Sequence, residues 1–179
     1  MPSNSPDYIS TNRVTAALPL SARTAERNTN SPSFHIIKLP ALTGNVDRLQ
    51  RLVVEFCIQP LGTASRQAIW WTSYVVIARS GALKAGSGVY TEWNQFGTLG
   101  SQSAIGIIAP WTDGNFSILD ISKGVLNGNH TNGTVLRVVD LSERQGNIDV
   151  FAVLVASGMH DGAYQVHGQA TLDFRLKVA

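Results

Sequence analysis

Charge and cysteine are both scarce in this sequence. Only 15% of its 179 residues are charged, whereas globular proteins average about 25%. Such a surface is typical of a protein that partners cover, or of one kept soluble by Ser, Thr, Asn and Gln. Cys57 is the single cysteine, which excludes an intramolecular disulfide and a cysteine-rich metal site. Because Cys57 lies in the apolar run 52–58, we expect a buried structural thiol.

Clustered positive charge and long apolar runs are also absent. The net charge of +2 is too close to neutral for a dedicated nucleic-acid-binding domain, although it leaves a weaker contact open. No apolar run approaches the roughly 20 residues that span a bilayer. The first residues, Met-Pro-Ser-Asn, lack the basic start of a secretory signal. We therefore expect no membrane association.

Recognisable catalytic and ligand-binding motifs are missing. The Gly-x-Ser-x-Gly motif does not occur, and the loop 81–87 has the glycine spacing of a phosphate-binding loop but holds its lysine inside. The four histidines are His35, His130, His160 and His167. No two of them have the i, i+2 spacing of zinc ligands on one strand. We predict no catalytic residue, no cofactor, no metal site and hence no enzyme. A Ser-His-Asp triad assembled in space is the alternative that the sequence leaves open.

Alternating residues predict strands over most of the chain after residue 33. In 164–178 the even-numbered residues are mainly apolar and the odd-numbered ones polar, as in a long strand with one wet face. The run 52–58 alternates in the same way. In contrast, 69–78 and 148–156 are apolar at both parities, as in central strands covered on both faces. The shorter predicted strands are 34–39, 88–93, 104–109, 116–121 and 134–141.

Residues 1–33 differ from the rest of the chain. They are rich in Ser, Thr, Asn, Ala and Pro and have no sustained period, so they cannot bury enough apolar surface to offset their ordering entropy. We predict a flexible N-terminal arm over 1–33 and one domain over 34–179. Only the short stretches 44–51 and 91–99 have a spacing compatible with a helix.

About nine strands and almost no helix predict an all-β fold. Turn dipeptides such as Asn127-Gly128 separate the strands and favour tight reversals. We predict an eight- to nine-stranded antiparallel jelly-roll β-sandwich with a flexible N-terminal arm. A seven-stranded immunoglobulin domain fits less well, because its Cys…Trp…Cys pattern needs a second cysteine.

Tryptophans mark candidate contact surfaces. Trp70 and Trp71 are adjacent in a predicted strand, so their rings point to opposite faces and one needs a cover outside the sandwich core. Trp93 and Trp111 lie near strand ends, where tryptophan is a common interface anchor. We predict Trp70, Trp93 and Trp111 at a subunit interface. The alternative is a carbohydrate-binding, lectin-like β-sandwich in which Trp93, Trp111 or Tyr90 stacks on a sugar.

The layout of a polar segment 1–33, a series of strands and a long alternating strand at 164–178 resembles the coat proteins of small icosahedral RNA viruses. Those built like the tymovirus coat protein are the most similar in size. The resemblance covers the whole chain and is one of architecture, without a shared sequence motif. It implies a viral capsid protein that self-assembles in the host cytoplasm. Many copies would form the icosahedral shell of a virion around an RNA genome.

The resemblance also implies a weak contact with genomic RNA that lacks sequence specificity. Many such coat proteins carry densely basic arms, whereas 1–33 holds only three arginines. The candidate RNA-facing residues are Arg13, Arg23 and Arg27 in the arm and Arg48 and Arg51 in the domain.

Asp113 and Asp120 flank a glycine turn. In a shell such acids could hold calcium between subunits, and turn capping by Asp113 with a solvated Asp120 is the simpler alternative.

Overall fold

A computed structural model describes residues 10–19, 24–26, 33–42, 46–61, 69–80, 116–126, 133–141, 148–158 and 163–177. These residues form nine β-strands and no helix. The strands are β1 Ser10–Ala17, β2 Thr24–Glu26, β3 Ser33–Lys38, β4 Val46–Leu61, β5 Ile69–Arg79, β6 Phe116–Leu126, β7 Gly133–Asp140, β8 Ile148–Gly158 and β9 Ala163–Leu176.

The strands form two antiparallel sheets. Sheet A has the order β1-β9-β4-β7, with β2 also paired to β9, and sheet B has the order β3-β8-β5-β6. Strands early in the sequence pair with strands late in the sequence, and each pair lies inside the previous one in sequence order: β1·β9, β3·β8, β4·β7 and β5·β6. The chain therefore runs like one long hairpin rolled into a sandwich, which is the connectivity of a jelly roll. The all-β, antiparallel jelly-roll prediction is confirmed.

The main core lies between the two sheets and consists of alternate residues of the strands. On β9 the predicted alternation is confirmed, since the even-numbered side chains that face inward are buried: Tyr164, Val166, Ala170, Leu172 and Phe174. The hydroxyl of Tyr164 donates a hydrogen bond to the carbonyl oxygen of Ala156 at 3.2 Å. That bond joins sheet A to sheet B across the core.

Sheet B is buried on its outer face as well as its inner one. Inward residues of its central strands, such as Val75 and Leu154, belong to the main core. The residues of opposite parity on β5 and β8 form what we call the dry face, and each is at most 1% exposed: Thr72, Tyr74, Val76, Phe151, Val153 and Val155. The predicted coverage of 69–78 and 148–156 on both faces is thus confirmed.

The outer face of sheet A is solvated, and we call it the wet face. Cys57 lies there, half-buried, between Thr134 of β7 and His167 of β9. The prediction of a buried structural thiol is wrong, because the alternation that turns Phe56 and Ile58 inward turns Cys57 outward.

Part of the predicted arm belongs to the sandwich. β1 pairs with β9 along its whole length, and Leu18 is only 1% exposed within the main core. The backbone N–H of Leu18 donates to the carbonyl oxygen of Gly168 at 2.8 Å. For residues 10–19 and 24–26 the prediction of a flexible arm is therefore wrong, since pairing with β9 supplies the stabilisation that their own composition lacks. Residues 1–9, 20–23 and 27–32 lie outside the described residues.

The stretch 44–51, whose spacing is compatible with a helix, is strand in its described part, which begins β4. Leu49 and Leu52 are both buried, and their three-residue spacing imitates a helix. The spacing arises because the β4·β9 register shifts between Leu49 and Arg51. A β-bulge of this kind adds a residue and breaks the two-residue period.

Several predicted elements lie outside the described residues, namely the strands 88–93 and 104–109 and the helical stretch 91–99. The described ranges contain no helix with the length and apolarity needed to cross a bilayer.

Candidate nucleic-acid interface

Charged side chains collect at one end of the wet face. Because adjacent strands are antiparallel, the starts of β1 and β4 lie beside the ends of β9 and β7. We call this set of side chains the basic end, and it consists of Arg13, Asp47, Arg48, Arg51, Asp140, Asp173, Arg175 and Lys177. Five cationic and three acidic groups leave an excess of two positive charges.

One row of the basic end alternates in charge across the sheet. Its cross-strand neighbours, in order, are Arg13, Asp173, Arg51 and Asp140. Nε and Nη2 of Arg13 donate to the two carboxylate oxygens of Asp173 at 2.7 and 3.3 Å. Nη2 of Arg51 donates to Oδ2 of the same carboxylate at 3.2 Å. Opposite charges in register stabilise a sheet, so this row ties β1 and β4 to β9.

Asp173 is the buried centre of that row. Although it lies on the wet face, the residue is only 8% exposed. The hydrogen bonds from Arg13 and Arg51 lower the pKa of its carboxyl group, against the opposing effect of burial. The same contact raises the pKa of Arg13. Asp173 is therefore ionised at neutral pH, and its two arginines neutralise it.

The next row places two arginines directly opposite each other. Arg48 of β4 is in register with Arg175 of β9. The carboxylate paired with Arg48 is Asp47, at 3.9 Å between Nε and Oδ2, and 59% of the Arg48 side chain is exposed. Among the described residues no carboxylate forms an ion pair with Arg175. Like charges opposite each other destabilise a sheet, and a bound anion would remove that repulsion.

The two rows border an open cleft of about 340 Å³. Its lining residues are Arg48, Leu49, Gln50, Arg51, Asp140 and Arg175. Guanidinium groups present planar sets of donors that match phosphate and carboxylate oxygens. The cleft is thus suited to a phosphate group, and phosphate contacts carry no base specificity.

The structure brings together the predicted RNA-facing arginines that it describes. Arg13, Arg48 and Arg51 all belong to the basic end. Arg23 and Arg27 lie outside the described residues, and their role stays a prediction.

Sequence reasoning missed Arg175 and Asp173. The polar parity of 164–178 places both on the wet face, which was a usable signal. Only the strand pairing shows that Arg175 opposes Arg48 and that Asp173 separates two arginines.

The tryptophans are only partly described. Trp70 is half-buried on the outer side of sheet B, beside Val125 of the edge strand β6. Trp71 packs against the main core, where its indole lies so close to Gly124 that a side chain at that position would collide with it. The opposite orientation of the two rings follows from their adjacency in β5. Trp93, Trp111 and Tyr90 lie outside the described residues, so the interface and sugar-stacking roles stay predictions.

Asp120, the candidate calcium ligand, lies in an ion pair. Nε and Nη2 of Arg137 donate to its two carboxylate oxygens, both at 2.6 Å. Asp113 is outside the described residues. Within the described ranges, His, Cys, Asp and Glu form no group of three or more that could hold a metal ion.

Comparison with known proteins gives structural likeness without a family. No family model matches the sequence, and no curated protein matches it. The structure of Desmodium yellow mottle tymovirus is 10% identical, with 100% of this chain and 93% of that chain covered and a TM-score of 0.37. The 60-mer BFDV capsid protein is 11% identical, covering 97% and 95%, with a TM-score of 0.38.

A carbohydrate-binding module matches at a similar level. The C-terminal CBM6 of LamC from Zobellia galactanivorans is 10% identical, covering 88% of this chain and 98% of that one, with a TM-score of 0.32. The similar structures are therefore split between viral capsids and carbohydrate-binding modules. At these identities and TM-scores they favour neither function.

Proposed function

We propose that this chain is a viral coat protein that self-assembles into an icosahedral shell and contacts the enclosed RNA through the basic end of sheet A. The observation that carries the proposal is the row in which Arg48 faces Arg175 beside an arginine-lined cleft. This row lies on the solvated face of a jelly-roll sandwich whose other sheet is dry on both sides.

Because the two arginines repel each other, a bound anion would stabilise the basic end. A phosphate between them would accept hydrogen bonds from both guanidinium groups and remove a like-charge contact. The alternating row beside them needs no such partner, because Asp173 already neutralises Arg13 and Arg51. Nucleic-acid binding would therefore depend mainly on Arg48 and Arg175.

The excess of two positive charges predicts weak and salt-sensitive RNA binding. On a single strand, each phosphate that a cation neutralises contributes about −0.7 to the slope of log affinity against log salt concentration. The proposal includes weak contact with genomic RNA without sequence specificity, assembly in the host cytoplasm into a virion, and no catalytic residue, cofactor or metal.

Assembly is tested by size-exclusion chromatography and negative-stain microscopy of the purified chain with and without RNA. The proposal expects closed particles of uniform size that contain RNA, seen as a raised ratio of absorbance at 260 to 280 nm. A chain that stays monomeric across pH, salt and added RNA would overturn it. A monomer that binds polysaccharides in a glycan array would favour the carbohydrate-binding alternative.

The role of the basic end is tested with matched charge removals. Arg48→Gln with Arg175→Gln removes two charges from the cleft. Arg79→Gln with Lys123→Gln removes two exposed charges from sheet B. In fluorescence-anisotropy titrations with a short single-stranded RNA, the first variant should reduce the magnitude of the slope of log affinity against log salt concentration by about 1.4. The control should leave the slope unchanged, and equal loss in both variants would contradict an RNA site in the cleft.

A further inference from the structure

Large exposed apolar side chains among the described residues lie on two edge strands, β6 and β7. They are Ile121 and Val125 on β6, at 51% and 39% exposure, and Leu136 and Val138 on β7, at 58% and 59%. β6 ends sheet B and β7 ends sheet A. The opposite narrow side includes β1, whose exposed side chains are Thr11, Arg13, Thr15 and Ala17. Ile121 and Val125 point to the outer face of sheet B, whereas Leu136 and Val138 point to the wet face of sheet A. Leu136 and Val138 are thus an apolar pair at the edge of an otherwise polar face, which indicates an interaction surface.

The ion pair of Arg137 with Asp120 closes the sandwich on this side. Val54, the β4 neighbour of Arg137, faces the main core, so Arg137 points inward between the sheets to reach Asp120 on β6. An inward charge on an edge strand usually protects against pairing with another strand, because pairing would bury the charge. Here Asp120 neutralises Arg137, so that protection is absent.

β7 is better suited than β6 to pair with another strand. It has eight residues, no lysine and no proline, and its register with β4 is uninterrupted. β6 carries the exposed Lys123, and its register with β5 shifts between Val75 and Val76. Lysines and bulges are devices that keep edge strands unpaired. The described residues place no strand against the outer edge of β7.

We propose that β7 pairs antiparallel with β7 of a second copy of this chain about a two-fold axis, extending sheet A across a dimer. This inference rests on the proposed self-assembly and names one of its contacts. The partner is identified by complementarity. An open strand edge is matched by another open edge, and a two-fold axis presents each copy with the same apolar pair.

The pattern of β7 is self-complementary under that axis. Its even-numbered side chains, including Leu136 and Val138, point to the wet face, because Val135 and Val139 are buried in the main core. Directly opposed residues of two paired strands point to the same face of the sheet. Antiparallel pairing about the axis therefore places even-numbered residues of one copy opposite even-numbered residues of the other. Leu136 and Val138 of both copies then form one cluster of four aliphatic side chains across the junction.

Cysteine cross-linking tests the pairing. In a Cys57→Ser background, Leu136→Cys with Val138→Cys should give a disulfide-linked dimer on mild oxidation, because opposed residues in paired strands meet the distance that a disulfide requires. The matched control, Thr15→Cys with Ala17→Cys, puts the same spacing on the exposed face of β1 and should stay monomeric on a non-reducing gel. Equal cross-linking in both variants would overturn the inference.

Charge insertion tests whether the surface drives association. Leu136→Lys with Val138→Lys should weaken dimerisation at least about 100-fold in sedimentation velocity, because like charges would oppose each other across the axis. Thr15→Lys with Ala17→Lys serves as the control and should associate like the parent chain.

The outcomes separate this inference from the proposed function. Particles that form without cross-links and tolerate the β7 lysines would overturn the β7 contact and leave the coat-protein proposal intact. A cross-linked dimer that never builds particles would support the β7 contact and overturn the shell. A monomer with no cross-link would overturn both.

Discussion

The outer faces of the two sheets differ sharply although both sheets share one core. On sheet A, exposed charged and polar residues such as Arg51, Glu55 and Gln59 alternate with buried ones. On sheet B, the dry face is as buried as the core itself, with Val153 at 0% exposure. Strands that alternate apolar and polar residues thus form the sheet with a solvated face, and strands that are apolar at both parities form the centre of the sheet that is covered on both faces.

The two outer faces also differ in their ionisable side chains. The wet face carries Asp173, whose carboxylate is neutralised by two arginines. The dry face carries the phenol of Tyr74, and burial raises its pKa. The wet face should therefore lose its electrostatic stabilisation in acid, and the dry face should resist ionisation in alkali.

Matched Val→Asp changes compare the faces directly. Val153→Asp should cost more than about 4 kcal/mol of unfolding free energy, because it buries an unpaired carboxylate. Val53→Asp, on the half-buried wet side of β4, should cost about 1 kcal/mol. Urea unfolding followed by circular dichroism measures both. Similar urea midpoints for the two variants would contradict the burial of the outer face of sheet B.

Removal of Arg137 probes the link between the sheets. Arg137→Ala should cost about 1–2 kcal/mol, since it breaks a partly shielded bidentate pair and leaves Asp120 without its cation. Arg13→Ala breaks a comparable pair whose arginine is 63% exposed, and it should cost less. A double-mutant cycle with Asp120→Ala, read by urea unfolding, isolates the pair; a coupling energy near zero would show that it contributes nothing.

Tyr74→Phe tests the dry face in alkali. Because the pKa of folded Tyr74 is raised, folding opposes its ionisation. The contribution of Tyr74 to the free energy of unfolding should therefore be complete below about pH 10, the pKa of an unperturbed tyrosine. It should be lost as the pH rises toward the raised pKa of the folded state. The variant cannot ionise at this position, so its alkaline unfolding midpoint should lie at higher pH. An unchanged midpoint in a pH series of thermal melts would argue against burial of the hydroxyl.

Asp173→Asn tests the wet face in acid and should have the smallest effect. The pKa of folded Asp173 is lowered, so its contribution is present above about pH 3.9, the unperturbed value. It is lost as the pH falls through the folded pKa. The difference in Tm between parent and variant should be constant from pH 5 to 7 and should shrink below pH 4. A difference that persists at pH 2 would contradict the assigned ion pairs.

Much of the fold was predictable from individual residues. The alternation from Tyr164 onward and the two-sided apolar runs 69–78 and 148–156 identify buried faces, because side-chain direction in a strand has a strict period of two. Prediction failed where that period breaks or where a segment depends on a partner. The bulges in β4 gave Leu49 and Leu52 a helical spacing, and β1 is stabilised by β9, a neighbour far away in sequence.

The candidate site was less predictable than the fold. Arg48 and Arg51 stand out in the sequence as basic residues beside a strand, but Arg175 and Asp173, which oppose them on β9, are more than a hundred residues away. The ion pair of Arg137 with Asp120 was missed because the acid lies in β6 and the arginine in β7, on different sheets.

Local alternation in the amino-acid sequence specifies strands such as β5, β8 and β9 and the faces of these strands that avoid water, because side chains alternate between the two faces of a strand. The tertiary structure specifies which arginines meet, which acids neutralise them and which strands end the two sheets among the described residues. Those contacts join residues of distant strands, and their geometry exists only once the chain has rolled into two sheets.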